Sequence, residues 1–501
     1  MFANAVRPAR TEADLEKIYR TREILDDAGF TEAATLRLLG IPVFPGLRDR
    51  RRLLPEFLAR TQGGGPLETF VRLFVLQQTL PIDAVRSAVA PMDIESWEHI
   101  GLIRKQENGV QATVELCQCG DVIAAADWPG EAGKDVDEVM GLAASSRALI
   151  QMTIRRPTER AFDLGTGCGV QAILVARHCQ RVFAADVNPR AVRFAEFNAC
   201  LNKSDNVSFS TGSLFAPVAG EKFDLIICNP PFVIGPKLLY THTSTGAQSD
   251  HFCETIVREA PKHLSENGFA QIVCNWAQAG DETSEEHVGR WLEGSGCDVW
   301  VLHSHTEPAE DYARARSEEN ALDTDTADSL YDDWMAYFER ENITAVNFGL
   351  ITMRRSEKAA NWIRYDEIPG ANGVCGKSIE LGFLLRDFLD THREDGELLN
   401  TKLRSAPDLK FLKGQGNGTR SGKTRVRLEQ GLTFAATLDP EVADFIGSCK
   451  GNSTLGDYAR KIAAQRHIPM TYLVPSFLIV VRHLIELGFL LPMEIFSTID
   501  K

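Results

Sequence analysis

The tetrapeptide Asn229-Pro230-Pro231-Phe232 is the part of this chain whose residue types are hardest to explain by folding alone. Two consecutive prolines surrender backbone donors and stiffen the chain. The run before them, FDLIIC (223–228), reads as a buried strand, so the tetrapeptide falls at a strand's carboxyl end. In open α/β sheets that edge is where ligands bind. What the motif offers there is two acceptors, the Asn229 side-chain carbonyl and the Pro230 backbone carbonyl, together with the Phe232 ring. Such a set can converge on a planar NH2 group, with the ring stacked over its plane.

A second signal lies upstream in AFDLGTGCGVQAILVA (161–176), a strand ending at Asp163 and Leu164, then Gly165-x-Gly167-x-Gly169 and an amphipathic helix. Glycines are needed where a ligand comes within van der Waals reach of a tightly turning backbone. By itself this turn fits nucleotide, nicotinamide and methyl-donor sites alike. Asp186 stands 21 residues after Gly165 at the end of VFAADV (182–187), where a carboxylate can accept both hydroxyls of a ribose. The loop Gly212-Ser213-Leu214 follows the third strand beside the same crevice, placed to flank an adenine.

Taken in order, these motifs resemble the class I S-adenosylmethionine-dependent methyltransferases, in the branch with an N/D-P-P-F/Y motif. That branch includes release-factor glutamine N5-, ribosomal RNA guanine N2- and adenine N6-methyltransferases. The resemblance runs from about residue 155 to 355. It implies that Asp163, Gly165 and Gly167 line the methionine side of the cofactor, with Thr166 and Gly169 in the same turn. It further implies that Asp186, followed by Val187, binds the ribose, and that Ser213 and Leu214 meet the adenine. Asn229 and Pro230 would hold the target nitrogen, Asn229 also bordering the cofactor, with Phe232 packed against the nitrogen. The resemblance implies no metal. Two departures stand out: the glutamine enzymes usually carry Tyr where this chain has Phe232, and the guanine enzymes commonly follow with His where it has Val233.

The elements that must position these residues follow from the alternation of strand and helix periods between Arg160 and Arg355. Strands are expected at 161–165, 182–187, 207–212, 223–229, 269–276, 297–303 and 345–353, the last at an edge, with helices between most of them. This predicts a seven-stranded Rossmann-like sheet covered on both faces, within a catalytic domain at 131–355. Residues 1–130 read as helices followed by a hairpin turning at Asn108-Gly109, a winged-helix-like order. Residues 356–501 read as a mixed module with a basic hairpin and a second winged-helix-like end. Residues 305–339 carry 11 acidic and 2 basic side chains, and read as solvent-facing helix.

Several other residues fall near the expected pocket. Tyr240, His242, Asp250 and His251 lie in the segment that leaves Phe232 and would pass over it. Trp276 either walls the pocket or packs under a helix. His303, His305 and Glu307 could hold a metal, but methyl transfer from a sulfonium needs none, and Cys117-x-Cys119 is one residue short of the usual metal spacing.

The 501 residues suit about three domains. The net charge of −15 repels nucleic acid and anionic membranes on average. The longest apolar stretch, Met470 to Leu491, is interrupted by Arg482, His483 and Glu486, and the N-terminal residues have no apolar signal core. Eleven cysteines, an odd number, include Cys168, Cys179, Cys228 and Cys274 in expected core elements, which fits reduced thiols in a cytoplasmic protein. The acidity favours a protein or peptide amide as acceptor. A nucleic acid base is second, served by the tract 401–427 with eight Lys/Arg against one Asp, including Arg420, Lys423, Arg425 and Arg427. A small-molecule amine is third. The intact glycines, Asp186 and Asn-Pro-Pro-Phe argue against an inactive scaffold, and no acid/base pair accompanies the turn to suit a dehydrogenase.

Overall fold

The computed structural model describes residues 6–128, 137–236, 250–320, 324–358, 360–413 and 422–499. Its first helices start on devices written into the sequence. α1 (Glu12–Asp27) is capped by Thr11 in a reciprocal box with Asp14, and α2 (Glu32–Leu39) by Thr31, stopping at Gly40 with φ +69°. α3 (Leu47–Arg60), α4 (Pro66–Phe74), α5 (Ile82–Val89) and α6 (Ile94–His99) follow. Then come two antiparallel hairpins: β1 (Ile103–Gln106) with β2 (Gly109–Ala112), and β3 (Glu115–Cys119) with β4 (Val122–Ala126).

After α7 (Ala144–Met152) the α/β alternation begins. It runs β5 (Thr158–Leu164), α8 (Val170–Val175), β6 (Cys179–Asp186), α9 (Pro189–Leu201), β7 (Val207–Thr211) and β8 (Phe223–Cys228). It continues with α10 (His251–Glu259), β9 (Leu264–Ala279), α11 (Ser284–Leu292), β10 (Cys297–Pro308), α12 (Ala309–Asn320), α13 (Thr324–Arg340), β11 (Ile343–Arg355) and β12 (Ile363–Glu367). The sheet has eight strands in the order β12-β10-β11-β9-β8-β5-β6-β7. The strands β5 to β9 are mutually parallel, β12 is parallel to β10, and β11 runs antiparallel to both its neighbours.

Two expectations about this sheet are corrected. It has eight strands rather than seven, because Ile363–Glu367 adds an edge beyond β10. The strand at 345–353 is not an edge: β11 is wedged between β9 and β10 and is buried along nearly its whole length. A near-continuous apolar run is what a strand with both faces covered requires.

The acidic insertion also differs from expectation. α12 and α13 bury Tyr312, Trp334, Tyr337 and Phe338 in a cluster with Ile234, Ala277 and Val346, while Asp325, Asp328, Asp332 and Asp333 stay exposed. The charges mark only the outer face.

Chain contacts divide the protein into two compact units: Met1–Ile150 with Pro157–Glu367, and Gln151–Arg156 with Ile368–Lys501. Within the first, two asparagines one helical turn apart fasten the opening module to α9. Asn198 accepts from Ala125 N at 2.7 Å and donates to Ala125 O at 2.9 Å, and Asn202 does the same with Ile123 at 3.1 and 2.7 Å. Each side-chain amide mimics a neighbouring strand, so the fully buried β4 finds its partners on a helix.

The second unit has its own apolar core, including Phe388, Ile446, Leu478 and Ile485. It holds two three-stranded antiparallel sheets, one of them formed by Leu409–Lys413, Thr424–Leu428 and Ala435–Leu438. No helix among the described residues is long and apolar enough to cross a membrane.

Candidate active site

The carboxyl ends of β5, β6 and β8 bring the glycine turn, Asp186 and Asn229 to one edge of the sheet. Gly165 and Gly167 take φ +73° and +52°, and a Cβ on either would project into open space. A ligand backbone or chain can lie against them. Gly169 is different: its φ is +82° and a Cβ there would come within 2.8 Å of Ala195, so it serves the packing of α8 on α9.

Asp163 is buried behind this turn. Its carboxylate accepts from Thr166 Oγ1 at 2.7 Å and from Ala172 N at 3.1 Å, which accounts for Thr166. Burial outweighs these bonds and pushes the Asp163 carboxyl up to about 7. Asp186 accepts from Gly167 N at 2.9 Å through one oxygen and from Asn188 N at 2.9 Å through the other. Each carboxylate oxygen keeps a further lone pair for a hydroxyl. Beside it Val187 is 53% exposed, an apolar side chain held in the open.

Ser213 is exposed in the loop after β7, and Leu214, at φ +49°, packs toward the core of the sheet. Gly212 N donates to Asp186 O at 2.9 Å, which ties that loop to the end of β6.

Asn229 is the first residue past β8. Its Nδ2 donates to Ser145 Oγ at 3.2 Å and Ser146 Oγ at 3.0 Å, both on α7, while its Oδ1 is buried without a hydrogen-bond partner. Two hydroxyl acceptors on the nitrogen therefore fix the amide so that the carbonyl is left over. Leaving such a buried carbonyl unsatisfied costs about 1–3 kcal/mol. Pro230 is buried, and the half-buried Phe232 packs against the core cluster that contains Cys228 and Ile272.

The chain beyond Phe232 is anchored by the insertion. Ile234 N donates to Tyr312 Oη at 3.2 Å, and Gly235 lies so close to the Trp334 ring that a Cβ would not fit. Burial drives the Tyr312 phenol up to about 12. Ser145, Ser146, Tyr312 and Trp334 were not among the residues expected at this edge. Nothing in the pair of serines distinguishes them from a helix start, whereas the aromatic spacing of Tyr331, Trp334 and Phe338 was a readable signal beneath the charges.

The remaining candidates fall into place as follows. Trp276 is fully buried and donates to Ser284 Oγ at 2.5 Å, so it packs under α11 rather than walling the pocket. Asp250 accepts from Ala277 N and His287 Nε2, both at 2.8 Å, and braces α10 against the sheet. His251 is exposed and pairs with Glu254 at 3.2 Å. Tyr240 and His242 lie outside the described residues. His303 bonds Glu367 at 2.7 Å and Thr306 at 3.1 Å, His305 stacks on Phe348, and Cys117 lies beside Gly141.

Comparison with known proteins adds the following. Residues 140–293 match the family model described as methyltransferase small domain, and residues 27–113 match one described as a domain of unknown function. Over 141 residues the chain is 39% identical to the release factor glutamine methyltransferase of Aquifex aeolicus, covering 25% of this chain and 50% of that protein. It is 30% identical over 144 residues to a Methanocaldococcus jannaschii protein that carries the provisional name protein N5-glutamine methyltransferase, covering 27% of this chain and 72% of the relative. It is also 30% identical over 157 residues to ribosomal RNA small subunit methyltransferase C of Escherichia coli, covering 31% and 41%. The chain thus spans about half the length of several curated relatives that it matches.

Proposed function

The chain belongs to the class I S-adenosylmethionine-dependent methyltransferases related to the protein glutamine methyltransferases, and from that membership we propose that it methylates a side-chain amide nitrogen of a protein. One observation carries the reading: the buried, partnerless carbonyl of Asn229, oriented by Ser145 and Ser146. An amide NH2 is the donor such a carbonyl fits, and the Pro230 carbonyl takes its second hydrogen.

The residues around the glycine turn fit the donor. Asp163, Gly165, Thr166 and Gly167 would hold its amino-acid end, with Gly169 keeping the turn closed on α9. Asp186 and Val187 would meet its ribose, and Ser213 and Leu214 its adenine. When bound, S-adenosylmethionine supplies a methyl group on a sulfonium, whose carbon–sulfur bond breaks as the nitrogen–carbon bond forms. Asn229 and Pro230 hold the acceptor nitrogen in line and bear the positive charge that develops on it. Phe232 packs on the amide plane. The surplus proton leaves to water, so no side chain is needed as a strong base.

The opening module, 1–130, and the closing module, 356–501, serve in this reading as winged-helix-like docking platforms for the catalytic portion, 131–355. Buried thiols such as Cys228, Cys253 and Cys274 suit a cytoplasmic location. A second reading, a nucleic acid base as acceptor, draws support from one surface. Lys410, Arg425 and Arg427 are exposed on one face of a three-stranded sheet, with Lys410 directly opposite Arg427 and Lys423 just before the strand. Arg420 lies outside the described residues.

The test uses donor labelled in the transferable methyl group, incubated with protein and with a cell lysate separated into protein, RNA, DNA and small molecules. Label confined to a protein band, absent with Asn229→Ala, supports the amide reading. Label in RNA that falls with Arg425→Ala and Arg427→Ala would replace it with the second.

A further inference from the structure

Beyond the family motifs, a second buried carbonyl at the same edge has no partner: Asn275 Oδ1. Asn275 is 1% exposed and lies near the carboxyl end of β9, the strand beside β8. In β8 and β9 the even-numbered residues Ile226, Cys228, Ile272, Cys274 and Trp276 face the core under α10 and α11. Side chains alternate along strands, so Asn229 and Asn275 both belong to the opposite face. The register pairs Cys228 with Ile272, which puts Asn229 level with Val273 and Asn275 two residues further on. One strand spacing and two residues of rise separate them by about 8 Å.

The Asn275 amide is held from one side. Its side chain hydrogen-bonds the Tyr312 hydroxyl, the same hydroxyl that takes Ile234 N from the segment following Phe232. Its direct neighbour across the ladder, Phe348, offers no polar atom. The amide nitrogen is thus engaged and the oxygen left over, as at Asn229.

Resting on the amide reading above, we infer that Asn275 is a specificity residue whose carbonyl accepts a backbone N–H of the acceptor peptide. Asn229 and Pro230 already account for both hydrogens of the reacting amide, so a further acceptor about one side-chain length away reads a different donor. On a glutamine-like acceptor, that donor is the main-chain N–H of the residue being methylated. Asn275 acts on binding and placement, not on the charge at the reacting nitrogen.

The experiment measures methyl transfer from labelled donor to N-acetylglutamine dimethylamide, which has one backbone N–H, and to its ester counterpart, in which oxygen replaces that N–H. The full-length protein is expected to favour the amide probe about tenfold in kcat/KM, chiefly through KM, the usual worth of one buried hydrogen bond. Asn275→Leu is expected to bring the ratio to about one. Asn275→Asp, which keeps an acceptor oxygen, is expected to retain the preference. An undiminished preference in Asn275→Leu would overturn the inference. So would loss of preference in Asn275→Asp as well, since that would mark Asn275 as a brace for Tyr312. If neither probe takes label while donor binding is intact, the amide reading itself falls, and this inference with it.

Discussion

The two halves of the sheet edge handle their polar groups in opposite ways. At β5 and β6 the carboxylates are met from within: Asp163 by Thr166 and Ala172, Asp186 by Gly167 and Asn188. At β8 and β9 the amide nitrogens of Asn229 and Asn275 are engaged by neighbours, but both carbonyls are left without partners. In the proposed reading, the donor half is therefore built before its ligand arrives, while the acceptor half keeps bonding capacity for the molecule to be methylated. Preorganised groups stabilise developing charge without reorganising at the moment of reaction.

The sharpest way to break this contrast is at Asn229. Asn229→Ala is expected to lower kcat by about 10²–10³, in the range for a preorganised charge-stabilising group, while donor affinity measured by calorimetry changes little. Next comes Asp186→Ala, expected to weaken donor binding by about one to two orders of magnitude with a smaller effect on kcat at saturating donor. It removes a charged acceptor and releases Gly167 N and Asn188 N together. A donor affinity equal to the wild type would show that the carboxylate only shapes the turn.

A smaller effect is expected from Ser145→Ala with Ser146→Ala. Freed from both hydroxyls, the Asn229 amide can rotate, and kcat is expected to fall about tenfold with unchanged donor affinity. The smallest is a pH effect at Asp163. Its carboxyl, near 7 in the fold against an ordinary 3.8, favours folding below about pH 4, and that contribution is lost as pH rises to 7. The donor-free protein should therefore melt lower at pH 8 than at pH 5, and Asp163→Asn should flatten the difference. Calorimetry at the two pH values decides it.

How much of this was legible beforehand follows from what each residue answers to. Gly165, Asp186 and Asn229 answer to local geometry at strand ends, and their spacing announced them. Ser145 and Ser146 answer to a partner more than 80 positions away, and a serine pair opening a helix carries no mark of that. The burial of α13 was hidden by its charges, although Tyr331, Trp334 and Phe338 repeat at three and four residues. The place of β11 was misjudged because strand order in a sheet is a long-range property, even though its unbroken apolar run marks an interior strand.

The asparagine pair on α9 sets where this protein can be cut. The family match begins at residue 140, which invites a shortened chain starting there. Such a chain would lose β4 and leave Asn198 and Asn202 without the backbone they pair with. It would also uncover Phe194, Phe197 and Leu201, which share their core with Val122, Ala124 and the opening helices. The same helix begins three residues after Asp186, so loosening it would reach the carboxylate proposed to hold the ribose. Residues 6–128 are thus not an appendage that can be shed: they complete the packing around α9, the helix that follows Asp186.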